Sequence, residues 1–290
     1  MVDHPDNHIF ILPTKIHPPQ QADWAVKRSH LVDRLTESTA HRLTLISAPA
    51  GFGKTMLVSQ WLQVDTRPIA WLSLDAHDND LTPFVTYLTA AVRVSFPEFG
   101  RKVEGVIASG ITAKPSRLAD FFLAELFALD DPLHIVLDDY HAIDTREVHD
   151  FLNRLIENMP ANAHLTLTTR LDPPLRLAQL RIQHEIAEIR STDLKFHAHE
   201  AAQLLQHTVG EALPDDVLAQ FLAYTEGWPA ALYLAALSLR ESPDRSRLVE
   251  EHLHHSHKAM MEYLLSEVLS HVSPQLKRAL LFTSAFERFC

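Results

Sequence analysis

Residues 43–55 read Leu-Thr-Leu-Ile-Ser-Ala-Pro-Ala-Gly-Phe-Gly-Lys-Thr, and this stretch decides the predicted fold. Its apolar beginning predicts a buried strand, its middle a loop of small residues, and the amphipathic residues after Thr55 a helix. Two of the chain's seven glycines, Gly51 and Gly53, lie in the loop. Glycine is favoured where the backbone takes positive φ or must approach another group closely. The order strand, small-residue loop and helix is typical of a phosphate-binding site.

The loop follows the Walker A pattern G-x-x-x-x-G-K-[ST], with Ala48 in place of the first glycine. In this pattern backbone N–H groups and the helix N-terminus hold phosphate oxygens. The residues predicted to contact a nucleotide are Ala50, Gly51, Phe52, Gly53, Lys54, Thr55 and Met56. Lys54 is predicted to reach the β- and γ-phosphates, and Thr55 Oγ1 to ligate Mg²⁺. The alternative is a glycine-containing turn before an ordinary helix, which the apolar strand before the loop disfavours.

A second signal, a pair of acidic residues, supports the phosphate site. Asp138-Asp139 follows the apolar residues 133–137, as expected for a strand that ends in the Walker B acid. In that role Asp138 helps to bind Mg²⁺ and Asp139 polarises the attacking water. Arg170 follows another predicted strand, residues 163–169. At the carboxyl edge of a parallel sheet it would sense the γ-phosphate, although a surface arginine paired with an acid fits the pattern equally well.

Apolar runs of strand length alternate with helical periodicity up to residue 195. The runs are residues 43–47, 69–74, 133–137, 163–169 and 186–189. This alternation predicts βαβ units and a parallel sheet, whereas after residue 195 only helical patterns remain. The prolines of residues 1–40 predict an extended arm before the sheet, with a short helix after Trp24. Gly100 to Pro115 is predicted to be a surface loop.

Composition narrows the function classes. The net charge of −11 argues against wrapping nucleic acid, which needs clustered lysine and arginine. No apolar run reaches the roughly eighteen residues of a transmembrane helix, and residues 1–11 do not resemble a secretory signal. The one cysteine is Cys290. These features predict a cytoplasmic protein without membrane contact. No Asn-Lys-x-Asp element for guanine is present, so an adenine nucleotide is expected.

Five motifs occur together along the chain. They are Ser-Ala-Pro-Ala-Gly-Phe-Gly-Lys-Thr at 47–55, Trp-Leu-Ser-Leu-Asp at 71–75, Asp-Asn-Asp at 78–80, Val-Leu-Asp-Asp-Tyr-His at 136–141 and Gly-Trp-Pro-Ala-Ala-Leu at 227–232. In this combination the chain resembles the MalT-like regulators, which are large ATP-dependent LuxR-type transcriptional activators of the STAND class of P-loop NTPases. The resemblance covers nearly the whole chain. Alanine or serine is usual in that family at the position of Ala48.

The resemblance implies a domain organisation. Residues 1–40 would form an N-terminal arm that contributes to the nucleotide site, and residues 41–195 a P-loop domain of α/β class with a five-stranded, mostly parallel sheet. Residues 196–245 would form an all-helical lid, and residues 246–290 the start of a winged-helix domain that is cut short. Contacts with an inducer and with DNA are expected only in downstream regions, outside this chain.

The resemblance also implies residue roles. Pro229, with Trp228, would pack on the adenine, Arg170 would be the sensor arginine, and Val26 and Arg28 would approach the base. We therefore expect a slowly hydrolysing switch that uses ATP/ADP and Mg²⁺. ADP would keep the lid closed, and ATP would favour an open, self-associating form. The alternatives are a metabolic ATP-dependent enzyme, such as a kinase or transport ATPase, and a non-hydrolysing adenine-nucleotide scaffold.

Overall fold

The computed structural model describes residues 10–21, 25–109 and 114–241. The chain divides after Leu194 into two compact units, 1–194 and 195–290. The predicted winged-helix segment, 246–290, lies outside the described residues. Within the described part, no helix has both the length and the hydropathy that a bilayer span requires.

A five-stranded parallel sheet forms the centre of the first unit. Its strands are β1 (Leu43–Ser47), β2 (Ile69–Ser73), β3 (Leu133–Asp138), β4 (Ala163–Thr169) and β5 (Ile186–Arg190). They lie in the order β2-β3-β4-β1-β5, and every neighbouring pair is parallel. The predicted α/β fold is therefore confirmed, and the sheet is parallel throughout. The register aligns the carboxyl ends, since Ser73 pairs with Asp138 and Ser47 pairs with Thr169.

Helices cover both faces of this sheet, which is why β1, β3 and β4 are buried at every position. They are α1 (Ser29–Ser38), α2 (Lys54–Leu62), α3 (Leu81–Arg93), α4 (Arg101–Ala108), α5 (Pro115–Leu126), α6 (Arg146–Glu157), α7 (Leu177–Ile182) and α8 (Ser191–Leu194). Alternate strand residues enter two apolar clusters. One cluster holds Phe84, Phe122 and Phe151 of α3, α5 and α6, and the other holds Leu35 and Trp61 of α1 and α2.

The prediction of a surface loop over Gly100 to Pro115 is wrong for most of that segment, because α4 occupies residues 101–108. Val103 is fully buried, and Val106 and Ile107 pack partly buried against the same apolar cluster. The helix is short and contains Gly105, so its apolar stripe is easily missed in the sequence. Packing against α5, rather than helix propensity, stabilises it.

The second unit is helical throughout its described part. It contains α9 (Ala198–Val209), α10 (Asp215–Thr225) and α11 (Pro229–Glu241). Its core is formed by apolar residues of all three helices, among them Leu204, Leu205, Phe221, Leu232 and Leu239. Glu200 is buried and its carboxylate accepts a hydrogen bond from the N–H of His197, which caps the start of α9.

Candidate nucleotide-binding site

The loop between β1 and α2 turns at two glycines in the left-handed region. Gly51 has φ of 76° and Gly53 has φ of 77°, a conformation that strains any residue with a Cβ. Gly53 immediately precedes α2, and its carbonyl accepts the first helical hydrogen bond, from Leu57 N at 2.9 Å. The first N–H groups of α2 therefore point out of the helix at the carboxyl end of β1, where an anion is favoured.

Lys54 lies back across this loop. Its Nζ donates to Ala48 O at 2.8 Å and to Pro49 O at 3.1 Å, and the side chain is 7% exposed. A buried ammonium held by loop carbonyls is a compact positive charge beside the outward N–H groups of α2. This arrangement fits a phosphate group, for which lysine acts as a point charge.

Three oxygen-bearing side chains meet where β3 and β4 end. Thr55 Oγ1 of α2 lies 3.0 Å from both carboxylate oxygens of Asp138, and Thr168 Oγ1 donates to Asp138 Oδ1 at 2.5 Å. Burial and the nearby charge of Asp139 raise the pKa of Asp138 to about 6, against the lowering effect of the two hydroxyls. A buried carboxylate whose ionised form is disfavoured gains most from a cation.

These donors fit Mg²⁺, which prefers oxygen ligands and keeps several waters or substrate phosphates in its shell. Within residues 10–21, 25–109 and 114–241, no group of three or more His, Cys, Asp and Glu side chains is arranged to hold a metal by itself. A Mg²⁺ ion at Thr55 and Asp138 would therefore depend on phosphate oxygens and water for the rest of its ligands.

Asp139 and Arg170 lie at the same edge of the sheet. Asp139 has φ of 59° and begins the 3-10 turn Tyr140–Ala142, and its N–H donates to Thr168 Oγ1 at 3.0 Å. Its carboxylate is about half exposed. Arg170 follows Thr169, whose carbonyl accepts the N–H of Ala48 at 3.2 Å, so the arginine emerges beside the start of the glycine loop. Their catalytic roles stay predictions.

Val26 and Arg28 contact α2 rather than the glycine loop itself. The side-chain amide of Gln60 donates to Val26 O at 2.7 Å and accepts the N–H of Arg28 at 3.1 Å. Gln60 is six residues beyond Lys54, about 9 Å along the helix axis. The buried guanidinium of Arg28 donates to Leu194 O at 2.9 Å. The segment is therefore fixed to the helix that carries Lys54 and Thr55.

Trp228 and Pro229 belong to the second unit. Pro229 is the first residue of α11, and Trp228 bonds back to Thr225 O at 2.9 Å. Gly227 before them has φ of 76°, and its carbonyl accepts the N–H of Phe196 at 2.8 Å. The Gly-Trp-Pro element therefore joins α10 to α11 and pairs with the first residues of this unit. Adenine contact by Trp228 and Pro229 stays a prediction.

Two residues of the site have no clear signal in the sequence. Thr168 bonds both Asp138 and Asp139, but only the strand order places β4 beside β3. Gln60 lies on the middle of α2 and resembles any other helical glutamine in the sequence. Its contacts with Val26 and Arg28 become visible only once α1 and α2 are known to pack together.

Comparison with known proteins shows which proteins are related to this chain. No family model matches the chain. The HTH-type transcriptional regulator MalT of Yersinia pestis, strain Pestoides F, is 33% identical over 275 residues, which cover 94% of this chain and 30% of that protein. This chain is a homologue of part of MalT. The MalT regulator of Yersinia enterocolitica serotype O:8 gives the same identity and coverage. The predicted resemblance is confirmed, and the chain spans about a third of these relatives.

Solved structures share the fold of this MalT homologue. A STAND protein with a tetratricopeptide repeat sensor, from Pyrococcus horikoshii, has a TM-score of 0.59 at 16% identity and covers 96% of this chain and 37% of its own. A Walker-type ATPase of Pyrococcus abyssi has a TM-score of 0.55 at 14% identity, over 89% of this chain and 79% of its own. At such low identity these likenesses show the fold alone, which is that of P-loop ATPases.

Proposed function

We propose that this MalT homologue is the ATP-binding and slowly hydrolysing switch module of a transcriptional activator. The observation that carries the proposal is the contact of Thr55 Oγ1 with both oxygens of Asp138, at 3.0 Å, beside the left-handed glycine loop. The N–H groups of residues 50–56 and the Lys54 ammonium hold the phosphates. Thr55 and Asp138 hold Mg²⁺, which when bound neutralises phosphate charge.

Asp139 and Arg170 are the residues we assign to hydrolysis. The half-exposed Asp139 carboxylate is accessible to a water molecule, and its backbone is fixed by the hydrogen bond to Thr168. It orients that water and accepts its proton. Arg170 follows Thr169, which is bonded to the start of the loop, and we assign to its guanidinium the stabilisation of charge on the γ-phosphate.

The switch requires that a nucleotide bind one state of the protein more tightly than the other, because a ligand shifts an equilibrium only by its difference in affinity for the two states. We propose that Trp228 and Pro229 cover the adenine in a closed ADP state, with Val26 and Arg28 close to the base. ATP favours an open state that self-associates. The MalT relatives are named HTH-type transcriptional regulators, and this chain covers 30% of their length. Inducer and DNA contacts are accordingly assigned to other regions of such a protein.

A hydrolysis assay on the 290-residue chain tests the proposal. We expect turnover below about 1 s⁻¹, the low end of typical enzymes. Asp139→Ala should lower that rate by about 10²-fold or more and change ATP affinity less than threefold. The matched control is Asp131→Ala, an exposed acid before β3, which should leave both values unchanged.

Other outcomes would assign a different function. Turnover well above 1 s⁻¹ indicates a metabolic ATP-dependent enzyme rather than a switch. ATP binding without phosphate release, equal in the wild type and Asp139→Ala, indicates a non-hydrolysing scaffold. Light scattering with ATP and with ADP completes the test, because equal particle mass with both nucleotides contradicts ATP-dependent self-association.

A further inference from the structure

Asn79 holds the segment that follows Asp139. Its Nδ2 donates to Ala142 O at 2.8 Å, and its Oδ1 accepts the N–H groups of Asp144 and Thr145 at 2.8 Å and 3.2 Å. Its backbone carbonyl also accepts the Thr145 hydroxyl at 2.7 Å. One asparagine thus satisfies three backbone groups and one hydroxyl of a segment that lies more than sixty residues away in sequence.

The held segment is a direct continuation of Asp139. The N–H of Ala142 donates to Asp139 O at 3.0 Å and closes the 3-10 turn Tyr140–Ala142. The carbonyl of the same Ala142 is the one that Asn79 binds. Asp139 has a left-handed φ of 59°, which is costly for a residue other than glycine and persists only where neighbouring contacts enforce it. Asn79 makes the contacts on the far side of this turn.

The neighbour of Asn79 connects the same turn to the N-terminal arm. Asp78 is 1% exposed, and its Oδ2 accepts Lys15 Nζ at 2.6 Å and the N–H of Asp75 at 2.8 Å. Lys15 also lies 3.1 Å from Asp75 Oδ2, with its ammonium 4.7 Å from the ring centre of Tyr87. The turn Ala76–Asn79 therefore binds the arm through Asp78 and the segment after Asp139 through Asn79.

We propose that Asn79 is a positioning residue for Asp139 in ATP hydrolysis, and that the Lys15–Asp78 ion pair keeps Asn79 in place. This inference rests on the proposed function of Asp139. Asn79 itself touches neither nucleotide nor water in this role. Docking of the arm thus determines how well the Asp139 carboxylate is aligned, because the arm and the segment after Asp139 both bind the turn Ala76–Asn79.

Kinetics give the first test. Asn79→Ala should lower kcat by about 10- to 100-fold, the loss expected from a small misplacement of a catalytic group, with ATP affinity unchanged within threefold. Asn79→Asp keeps the acceptor for Asp144 and Thr145 and should retain part of the rate. The matched control is Asn162→Ala, which removes a similar loop anchor, the 2.8 Å bond to Leu129 O, just before β4. If Asn79 had only a structural role, Asn79→Ala and Asn162→Ala would have equal melting temperatures and equal kcat. That result would overturn the proposal.

Hydrogen exchange of the nucleotide-free chain gives a second test that needs no activity. In Asn79→Ala the amides of residues 139–145 should exchange at least about 10-fold faster, as expected when their hydrogen bonds are lost. Lys15→Met should accelerate the same peptide, whereas Asn162→Ala should not. Unchanged exchange in Lys15→Met would refute the link to the arm. A wild type that binds ATP without releasing phosphate would refute the role of Asp139 instead, so the two failures are distinct.

Discussion

Asp138 lies in an environment that disfavours its own negative charge. Its carboxylate is buried, Asp139 is its neighbour, and its pKa is raised to about 6. A raised carboxyl pKa means that the fold favours the protonated form, so the nucleotide-free chain loses stability as the pH rises from about 4 to about 6 and keeps the full cost above that. We infer that a bound cation removes this cost, because a nearby positive charge stabilises the ionised carboxylate.

Asp138→Asn should therefore stabilise the free chain while removing its response to Mg²⁺. At pH 8 we expect the free energy of unfolding to rise by about 1–3 kcal/mol, because the amide keeps an acceptor for Thr55 and Thr168 without the charge. Urea denaturation at pH 8 and pH 5 measures the difference, which should shrink at pH 5 as the wild-type carboxyl becomes protonated. Asp131→Asn is the exposed control. A variant less stable than the wild type at pH 8 would contradict this account.

At the scale of an element, the connection between α10 and α11 depends on Gly227. A Cβ at this position would lie 2.8 Å from the carbonyl oxygen of Phe196, and the φ of 76° adds strain. Gly227→Ala should destabilise the second unit by about 2–3 kcal/mol. Faster amide exchange in α9 and α11 would show this loss. Gly105→Ala, inside α4 with open space around the new methyl group, should instead be neutral or stabilising. Equal effects of both changes would refute the steric reason.

The strands show which features of the fold can be predicted from the sequence. Apolar runs and the acids or loops after them are local signals, so all five strands and the P-loop were predictable. The sheet order is set by long-range pairing, so the contact of Thr168 with Asp138 could not be predicted from the sequence. The loop predicted around Gly105 failed because packing overrides a weak helical pattern. The resemblance to MalT brought in Trp228 and Pro229, for which the local pattern indicates only a helix start.

At the scale of the whole molecule, we expect two buried histidines to lower stability in acid. The rings of His134 and His164 are tilted by 59° with their centres 4.8 Å apart, and each residue is at most 3% exposed. Burial lowers the pKa of His164 to about 4, and burial together with His164 lowers the pKa of His134 further. The unfolded chain takes up both protons near the ordinary histidine pKa of about 6.5, whereas the folded chain does not. The contribution of these two neutral histidines to stability is therefore full above that pH and is lost as the pH falls below it.

Each neutral histidine should contribute about 1.4 kcal/mol of lost stability per pH unit between pH 6 and pH 4. His134→Leu removes one of them and should reduce the slope of unfolding free energy against pH by about that amount. His184→Asn, at an exposed position with φ of 56°, is the control and should leave the slope unchanged. Identical slopes for the wild type and His134→Leu would mean that this pair does not set the acid limit.

Titration of the chain with ATP and Mg²⁺ by calorimetry, in the wild type and in Lys54→Ala, tests the central claim most directly. The matched control is Lys102→Ala, an exposed lysine on α4. If the glycine loop, Lys54, Thr55 and Asp138 form the nucleotide site, the wild type and the control bind equally and Lys54→Ala loses at least about 100-fold in affinity, the loss of one charge-assisted phosphate contact. Equal affinity of all three chains would contradict the account.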